Sequence, residues 1–358
     1  MQAFHCPTKI YFGEGALGFL SEYHAKRILL VTDPFFVKSG TVADLKAYVP
    51  EAEVRVFDKV VPDPSLALAA EGAAVCETFR PDMLLALGGG SAMDCAKGIY
   101  AAAGRDLVFV AIPTTSGSGS EVTSYSILTH EGAKHPLVDA ELRPSAAILD
   151  ARFLYQMPRA LVADTGMDLL AHAMEAIGSV SRNLFTDALA FQAAETALDK
   201  LALSFSGERS ARLLVHEAAT MAGMAFDQAG LGVCHALAHA IGGVFHIPHG
   251  KLCTMLLPAV MTFNAPEAMG QYVKLARRCG LNGATERLLF RGLLQEIERL
   301  RKTLRQPGNL SQAGVTKEQW NTNREKILQN ALMDPCCRTN PVQVTRAGLE
   351  TICKAVEP

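Results

Sequence analysis

The chain has 358 residues, of which 49% are apolar and 20% charged, the proportions of an ordinary globular protein long enough for two substantial cores. Its 34 basic and 36 acidic residues leave a net charge of −2 with no block of like charge, which gives no reason to expect nucleic acid or an anionic membrane as partner. Every long apolar stretch is broken well short of a membrane span, and MQAFHCPTKI lacks the charged-then-apolar pattern of a secretory leader.

In chain order, the first 150 residues or so alternate strand-like and helix-like segments. Lys9–Phe12 is a short strand candidate, and Arg27–Asp33 (RILLVTD) is a stronger one, apolar enough to be a buried parallel strand. Glu53–Phe57 follows, then a helical stretch Ser65–Thr78, a buried strand Met83–Leu87, a helix Met93–Ala103, and strands Val108–Ile112 and Ala146–Leu149. Strands separated by helices of this length predict an open, parallel, Rossmann-like α/β sheet. From about Pro158 the texture changes: Ala188–Leu203, Ser210–Phe226, Pro266–Arg278 and Glu286–Leu304 are Ala- and Leu-rich with helical periodicity. The expected division is an α/β dinucleotide-binding domain over residues 1–153 and an all-helical domain over 154–358, where the Gly/Pro-containing stretch Gln306–Thr316 reads as a loop. The nine cysteines are scattered without a C-x-x-C pair, so free thiols in a reducing cytoplasm are expected.

Three loops compete for a dinucleotide. Gly13-Glu14-Gly15-Ala16-Leu17-Gly18 spells G-x-G-x-x-G, but a lone match behind a marginal strand is equally a tight turn. Gly88-Gly89-Gly90-Ser91 is better placed between a strongly apolar strand and a helix, where backbone amides and the helix dipole can hold a pyrophosphate. Asp94 falls in the first turn of that helix and reads either as a cofactor contact or as a cap. The third loop, Pro113–Glu121 (PTTSGSGSE), leaves another buried strand, and its hydroxyls suit phosphate, ribose or amide contacts. Ligands of open parallel sheets collect at the carboxyl ends of strands. Asp33 ends its strand the same way; its carboxylate can accept from adenosine ribose hydroxyls and repel a 2′-phosphate, or it can serve the turn at Asp33-Pro34.

The sharpest chemistry lies in GLGVCHALAHAIGGVFHIPH, residues Gly230–His249, which holds His235, His239, His246 and His249 although the whole chain has ten histidines. His235 and His239 are spaced i, i+4 and share a helical face, and Gly242-Gly243 read as the helix end. Upstream, Asp168 and His172 repeat the spacing in an otherwise apolar segment, where a carboxylate is costly unless paired or metal-bound. Each pair alone could be structural; together they supply the donors of a divalent transition-metal site.

These motifs carry a resemblance. Gly88–Lys97 (GGGSAMDCAK), Ile112–Thr123 (IPTTSGSGSEVT), Thr165–Glu175 (TGMDLLAHAME) and Ala229–Gly250 resemble the group III, iron-dependent alcohol dehydrogenases nearly end to end. Pro62-Asp63-Pro64, Phe226–Gly230 and Arg338–Pro341 are similar to the propanol dehydrogenases of propanediol-utilising bacterial microcompartments. The resemblance implies that Asp168, His172, His235 and His249 bind the metal, Fe2+ with Zn2+ as the other candidate. It implies that His239 faces substrate and nicotinamide as a catalytic proton relay, and it assigns His246 no role. It also implies that Gly89, Gly90 and Ser91 bind the pyrophosphate, that Asp94, Thr114, Thr115 and Ser118 line NAD(H), that Lys134 approaches its ribose, that Asp33 is the adenosine-ribose carboxylate, and that Gly13–Gly18 is structural. The departures are Asp63 where Asn is frequent, Ser118 where Thr is common, and Val342 where a basic residue is frequent.

The expected activity is interconversion of a short primary alcohol and its aldehyde, propanal/1-propanol or acetaldehyde/ethanol, with NAD(H). The alternative is a related metal enzyme, glycerol-dehydrogenase-like or dehydroquinate-synthase-like. A homodimer or higher homo-oligomer is expected, cytoplasmic or inside a microcompartment, with microcompartment enzymes or shell as candidate protein partners.

Overall fold

The computed structural model describes residues 3–104, 107–131 and 133–358. Contacts divide the chain into one compact unit over His5–Met157 and a second that gathers Pro158–Pro358 together with the start of the chain, where the ring of Phe4 stacks on Phe185 at 5.5 Å.

The first unit runs β1 (Lys9–Gly13), β2 (Arg27–Val31), α1 (Pro34–Lys38), α2 (Thr41–Lys46), β3 (Glu53–Phe57), α3 (Leu66–Phe79), β4 (Met83–Gly88), α4 (Gly90–Ala102), β5 (Val108–Pro113), β6 (Tyr125–His130), β7 (Ala133–Val138), β8 (Ala146–Asp150) and α5 (Arg152–Tyr155). Six strands form a parallel sheet in the order β1-β8-β5-β4-β2-β3, as the alternation of apolar strands and helices predicts. Period-two alternation assigns the two faces. Leu29, Val31, Leu84, Ala86, Phe109 and Ala111 pack with Ala69, Phe79, Ala96 and Ile99 on one side. Ile28, Leu30, Leu85, Leu87, Val110 and Ile112 pack with Leu17, Leu20, Val42 and Leu45 on the other. Burial of each such side chain is worth about 1.5–3 kcal/mol, enough in sum to hold helices on both faces.

Gly13–Gly18 is a turn, as the resemblance implies, with Gly13 and Gly15 at positive φ, leading into a 3-10 helix over Ala16–Tyr23. Three local expectations change. The strand β2 stops at Val31, and Asp33 is the N-cap of α1, its Oδ1 accepting from the Phe35 amide at 2.8 Å, so the turn reading of Asp33-Pro34 describes its local role. α4 starts at Gly90 rather than Met93, which moves Asp94 out of the first turn. β6 and β7 form an antiparallel hairpin that the pattern did not reveal, since of their described residues only Leu128 joins the core and the apolar ones are interrupted by polar ones.

The second unit holds α6 (Arg159–Gly178), α7 (Leu184–Ser206), α8 (Arg209–Ala229), α9 (Val233–Phe245), α10 (His249–Arg278), α11 (Glu286–Thr303), α12 (Lys317–Met333) and α13 (Arg346–Lys354). Buried along most of its length, α6 packs on α7, α8 and α10. Glycines permit the closest approaches: a Cβ on Gly166 would stand 2.2 Å from Leu201, and one on Gly250 only 1.9 Å from the Asp164 carbonyl oxygen. Gly242 and Gly243 do not end α9, which continues to Phe245 and stops at His246 in the left-handed conformation, φ 53°. The propensity penalty of each glycine, about 1 kcal/mol, is outweighed by burial of the helix face. α10 likewise runs through Pro258 and Pro266, joining the expected Pro266–Arg278 segment to His249 in one 30-residue helix. No helix among the described residues is long and apolar enough to cross a membrane.

Candidate metal centre and cofactor loops

In the helical unit, three helices bring their polar residues to one point. On α6, Asp168, His172 and Glu175 lie at i, i+4 and i+7, one face of the helix. α9 contributes His235 near its start, and α10 contributes His249 and, one turn on, Cys253. His249 Nε2 stands 3.3 Å and His235 Nε2 3.7 Å from Asp168 Oδ1. Donor atoms of Asp168, His235, His249 and Cys253 all lie within 4.8 Å of one another. The His172 ring stacks on that of His235 at 4.5 Å and on Phe226 at 4.4 Å.

Two atoms test whether this set fits a cation. Asp168 Oδ1 and His235 Nε2 are buried and make no hydrogen bond. Buried polar atoms are nearly always satisfied, and here an anionic oxygen and imidazole nitrogens converge, the donor chemistry of Fe2+ or Zn2+. The electrostatics agree. Burial by itself would raise the Asp168 carboxyl, yet His172, His249 and His235 pull it far below the usual carboxylate range. Burial disfavours charge on His235, but Asp168 and Glu175 outweigh it and hold its pKa high; His249 is driven low, first by burial.

Glu175 had no assigned role from sequence, and it organises the site. Its Oε2 lies 2.6 Å from His235 Nδ1 and accepts from the Gly232 amide at 2.9 Å, while Oε1 accepts from the Cys234 amide at 2.7 Å. The carboxylate thereby caps the start of α9 and accepts from His235 Nδ1, which leaves Nε2 turned toward Asp168. Its signal was available as the third polar residue on the Asp168–His172 face. His239 is held differently: its Nδ1 lies 2.8 Å from Asp334 Oδ2 and its ring stacks on His249 at 5.3 Å. Burial opposes the Asp334 carboxylate, but His239 and the Cys336 amide draw it down to about 2. His246 caps the end of α9 and is not in the cluster.

In the α/β unit, two of the three candidate loops pack on each other. β4 and β5 are neighbours with Gly88 opposite Pro113, and the Thr114 amide donates to the Gly88 carbonyl at 3.0 Å. Added Cβ atoms would meet Thr115 at 3.1 Å from Gly89 and Ser118 at 3.3 Å from Gly90, so the cradle between the loops exists because both positions lack side chains. Ser91 follows in the first turn of α4, where amides have no intrahelical acceptor and the dipole favours phosphate. Asp33 Oδ2 borders the same cradle, 3.9 Å from where a Gly88 Cβ would stand.

Beneath the loops lies Lys97, fully buried and absent from the candidate list drawn from sequence. Its Nζ donates to the Thr123 and Tyr125 carbonyls at 2.7 Å each and to the Ser120 and Thr123 hydroxyls at 3.1 Å, pinning the far end of the Thr114–Ser118 loop to α4. Asp94 accepts from Ser120 at 3.4 Å; burial raises its carboxyl to about 6, with Lys97 opposing. Lys134 is ion-paired with Asp63 at 2.7 Å, and Asp63 adopts a left-handed φ of 55°.

Comparison with known proteins converges on one family. Residues 7–151 match the iron-containing alcohol dehydrogenase model, and residues 162–356 match the C-terminal model of the Fe-containing alcohol dehydrogenase family. The chain is 38% identical to the 1-propanol dehydrogenase PduQ of Citrobacter freundii, covering 95% of this chain and 96% of that one. It is 35% identical to the NADPH-dependent butanol dehydrogenase of Clostridium saccharobutylicum, covering 99% and 98%. A solved 1,3-propanediol oxidoreductase superposes with a TM-score of 0.93 at 32% identity over 99% of both chains. A sulfoacetaldehyde reductase from Bifidobacterium kashiwanohense in complex with NAD+ does so with a TM-score of 0.88 at 27% identity, covering 99% and 98%. With both units matched, the chain belongs to the iron-containing alcohol dehydrogenase family.

Proposed function

We propose that this chain is a metal-dependent alcohol dehydrogenase that interconverts a short primary alcohol, such as 1-propanol or ethanol, with its aldehyde at the expense of NAD(H). The carrying observation is the buried donor set around Asp168, whose Oδ1 together with His235 Nε2 has no hydrogen-bonding partner. Asp168, His172, His235 and His249 would hold Fe2+ or Zn2+, which when bound supplies a Lewis acid for the substrate oxygen. NAD(H), which supplies the hydride carrier, would rest its pyrophosphate on Gly89, Gly90 and Ser91, with Asp94, Thr114, Thr115 and Ser118 lining it. The Asp33 carboxylate at the edge of that cradle favours a ribose diol over a 2′-phosphate, which supports NAD(H) over the NADPH used by the Clostridium relative. Lys134, ion-paired with Asp63, would approach the ribose.

The chain's own residues then have separate tasks. Glu175 accepts from His235 Nδ1 and orients the ring so that the other nitrogen would be available to the ion. Asp334 holds His239 by Nδ1, so Nε2 is the atom that gives a proton during aldehyde reduction and takes one during alcohol oxidation. The resemblance to propanol dehydrogenases supports a homo-oligomer working in the cytoplasm or inside a microcompartment. Protein purified without oxygen should carry a divalent metal near stoichiometry and oxidise NADH with propanal, acetaldehyde and butanal, ranked by kcat/KM. Retention of full turnover after the metal is stripped would sink the mechanism, and a preference for NADPH would sink the role of Asp33.

A further inference from the structure

The C-terminal stretch Arg338–Pro341 closes on the turn Gly230–Gly232, from which α9 carries His235 into the metal centre. Thr339 Oγ1 donates to the Leu231 carbonyl at 2.5 Å, and the Val233 amide donates to Asn340 Oδ1 at 3.2 Å. α9 has no capping side chain of its own: Gly232 stands at its N-cap, and the first amides are taken up by Glu175 of α6 and by Asn340. A Cβ on Gly232 would meet Glu175 Oε1 at 2.7 Å and Asn340 Oδ1 at 2.8 Å, so both side chains press on the same turn. Asn340 is 5% exposed and Asn264 of α10 2%, and the two amides pair reciprocally. Asn264 Nδ2 donates to Asn340 Oδ1 at 3.0 Å, and Asn340 Nδ2 donates to Asn264 Oδ1 at 2.8 Å and to the Val342 carbonyl at 2.7 Å. A flipped Asn340 amide would set donor against donor at Val233, so its partners fix this orientation.

Resting on the metal reading above, we propose that Asn340 is a positioning residue for the metal: paired with Asn264, it fixes where the start of α9 sits along α10 and so where His235 stands relative to His249. Asn264 lies about four turns beyond His249 on α10, and Val233 lies two residues before His235 on α9, so the bracket sets the axial register of the two helices. Glu175 does the corresponding work between α6 and α9 through Gly232, Cys234 and His235. The three helices that would supply ligands are thus tied one to the next by buried polar bonds. Apolar contact between helices is non-directional, whereas a hydrogen bond weakens steeply with distance and angle, and metal–ligand distances tolerate only about 0.2 Å. The same stretch of chain begins at Asp334, which holds His239, so it grips α9 at two points. If that grip favours the metal, the metal favours the grip by the same factor.

The test uses the whole chain stripped of metal and titrated with Zn2+ alone, in competition with a chromophoric chelator. Asn340→Ala should bind Zn2+ about 10-fold more weakly than wild type, the low end of what outer partners of metal ligands cost. Asn264→Ala should lose affinity too, and the double variant should lose no more than the worse single one, because the two amides act as one bracket. Thr285→Ala, which removes the N-cap of α11, should lower the melting temperature and leave Zn2+ affinity as in wild type, which separates positioning from stability. Hydrogen exchange on wild type needs no variant to fold. The amides of Val233 and of Val180, which donates to the Thr339 carbonyl at 3.1 Å, should become about 10-fold better protected as Zn2+ saturates the site. Wild-type affinity in folded Asn340→Ala, an equal loss in Thr285→Ala, additive losses in the double variant, or exchange at Val180 and Val233 that ignores Zn2+ would overturn the positioning role and leave the metal reading standing. A wild-type chain that binds no Zn2+ would overturn both.

Discussion

Replacing Gly250 by alanine would put a methyl carbon 1.9 Å from the Asp164 carbonyl oxygen, 2.5 Å from its carbonyl carbon and 3.0 Å from its Cα. All three are backbone atoms of α6, so no side chain can swing away. Ordinary contact begins near 3.4 Å, and the start of α10 must therefore retreat from α6 by roughly 1.5 Å. His249 is the preceding residue, and Asp168 lies one turn beyond Asp164, so the retreat opens the 3.3 Å gap between their donor atoms. Metal–ligand distances tolerate about 0.2 Å, so the Gly250→Ala protein should lose His249 as a ligand. A 100-fold weaker ion is worth about 2.7 kcal/mol of bound-state stability, on top of about 1–3 kcal/mol for overpacking. In a unit of this size each kcal/mol moves the melting point by roughly 2–4 °C. Thermal unfolding with and without added Zn2+ reads both parts: a lower melting point without metal, and a smaller rise when metal is added. Gly243→Ala is the control, because a Cβ there meets nothing within 4 Å and should stabilise α9 by about 0.5–1 kcal/mol. A Gly250→Ala protein that melts with wild type and keeps its metal would refute the reasoning.

Lys97→Met keeps the buried stem but strands the Thr123 and Tyr125 carbonyls and removes the cation that opposes Asp94. Urea unfolding should show a loss of about 3–5 kcal/mol, and a loss under about 1 kcal/mol would contradict the pinning role. Asp334→Asn should lower kcat about 100-fold and alter its pH profile while leaving KM for NADH in place; an unchanged profile would remove His239 from proton transfer. His216 is buried, which pushes its imidazole down to about 4 from the ordinary 6.5. The unfolded chain therefore binds the extra proton first, and this contribution is intact above about pH 6.5 and lost as pH falls through about 4, amounting to about 3 kcal/mol. His216→Gln should flatten stability across that window in pH-dependent unfolding, and an identical acid slope would assign the loss elsewhere.

What was legible in the sequence is what depends on near neighbours in the chain. The strands β2, β4 and β5 are continuous apolar runs because both faces of the sheet are covered. The glycine loop between β4 and α4 announces itself by its place between such a run and a helix. The Asp168–His172 and His235–His239 spacings are single helical turns, so shared faces follow from helix geometry alone. Local signals misled where long-range packing outweighed them: Gly242-Gly243 lies inside α9, and two prolines lie inside α10.

The face of a helix is a local property, but the neighbour it meets is set by how helices cross, and no spacing in the chain encodes that. Glu175 joins His235 across 60 residues, Asp334 joins His239 across 95, and Lys97 reaches Thr123 and Tyr125 where the chain enters the β6–β7 hairpin. Cys253 is one of nine scattered cysteines until α10 is set against α6, and only then does its sulfur stand 3.4 Å from His249. The sequence by itself determined the alternation of apolar strands and helices, the glycine-rich turn between β4 and α4 and the residue types of the candidate metal centre. Tertiary structure decided which donors meet, which carboxylate orients which imidazole, and that Gly250 must have no side chain, because these depend on distances between helices that only close packing sets.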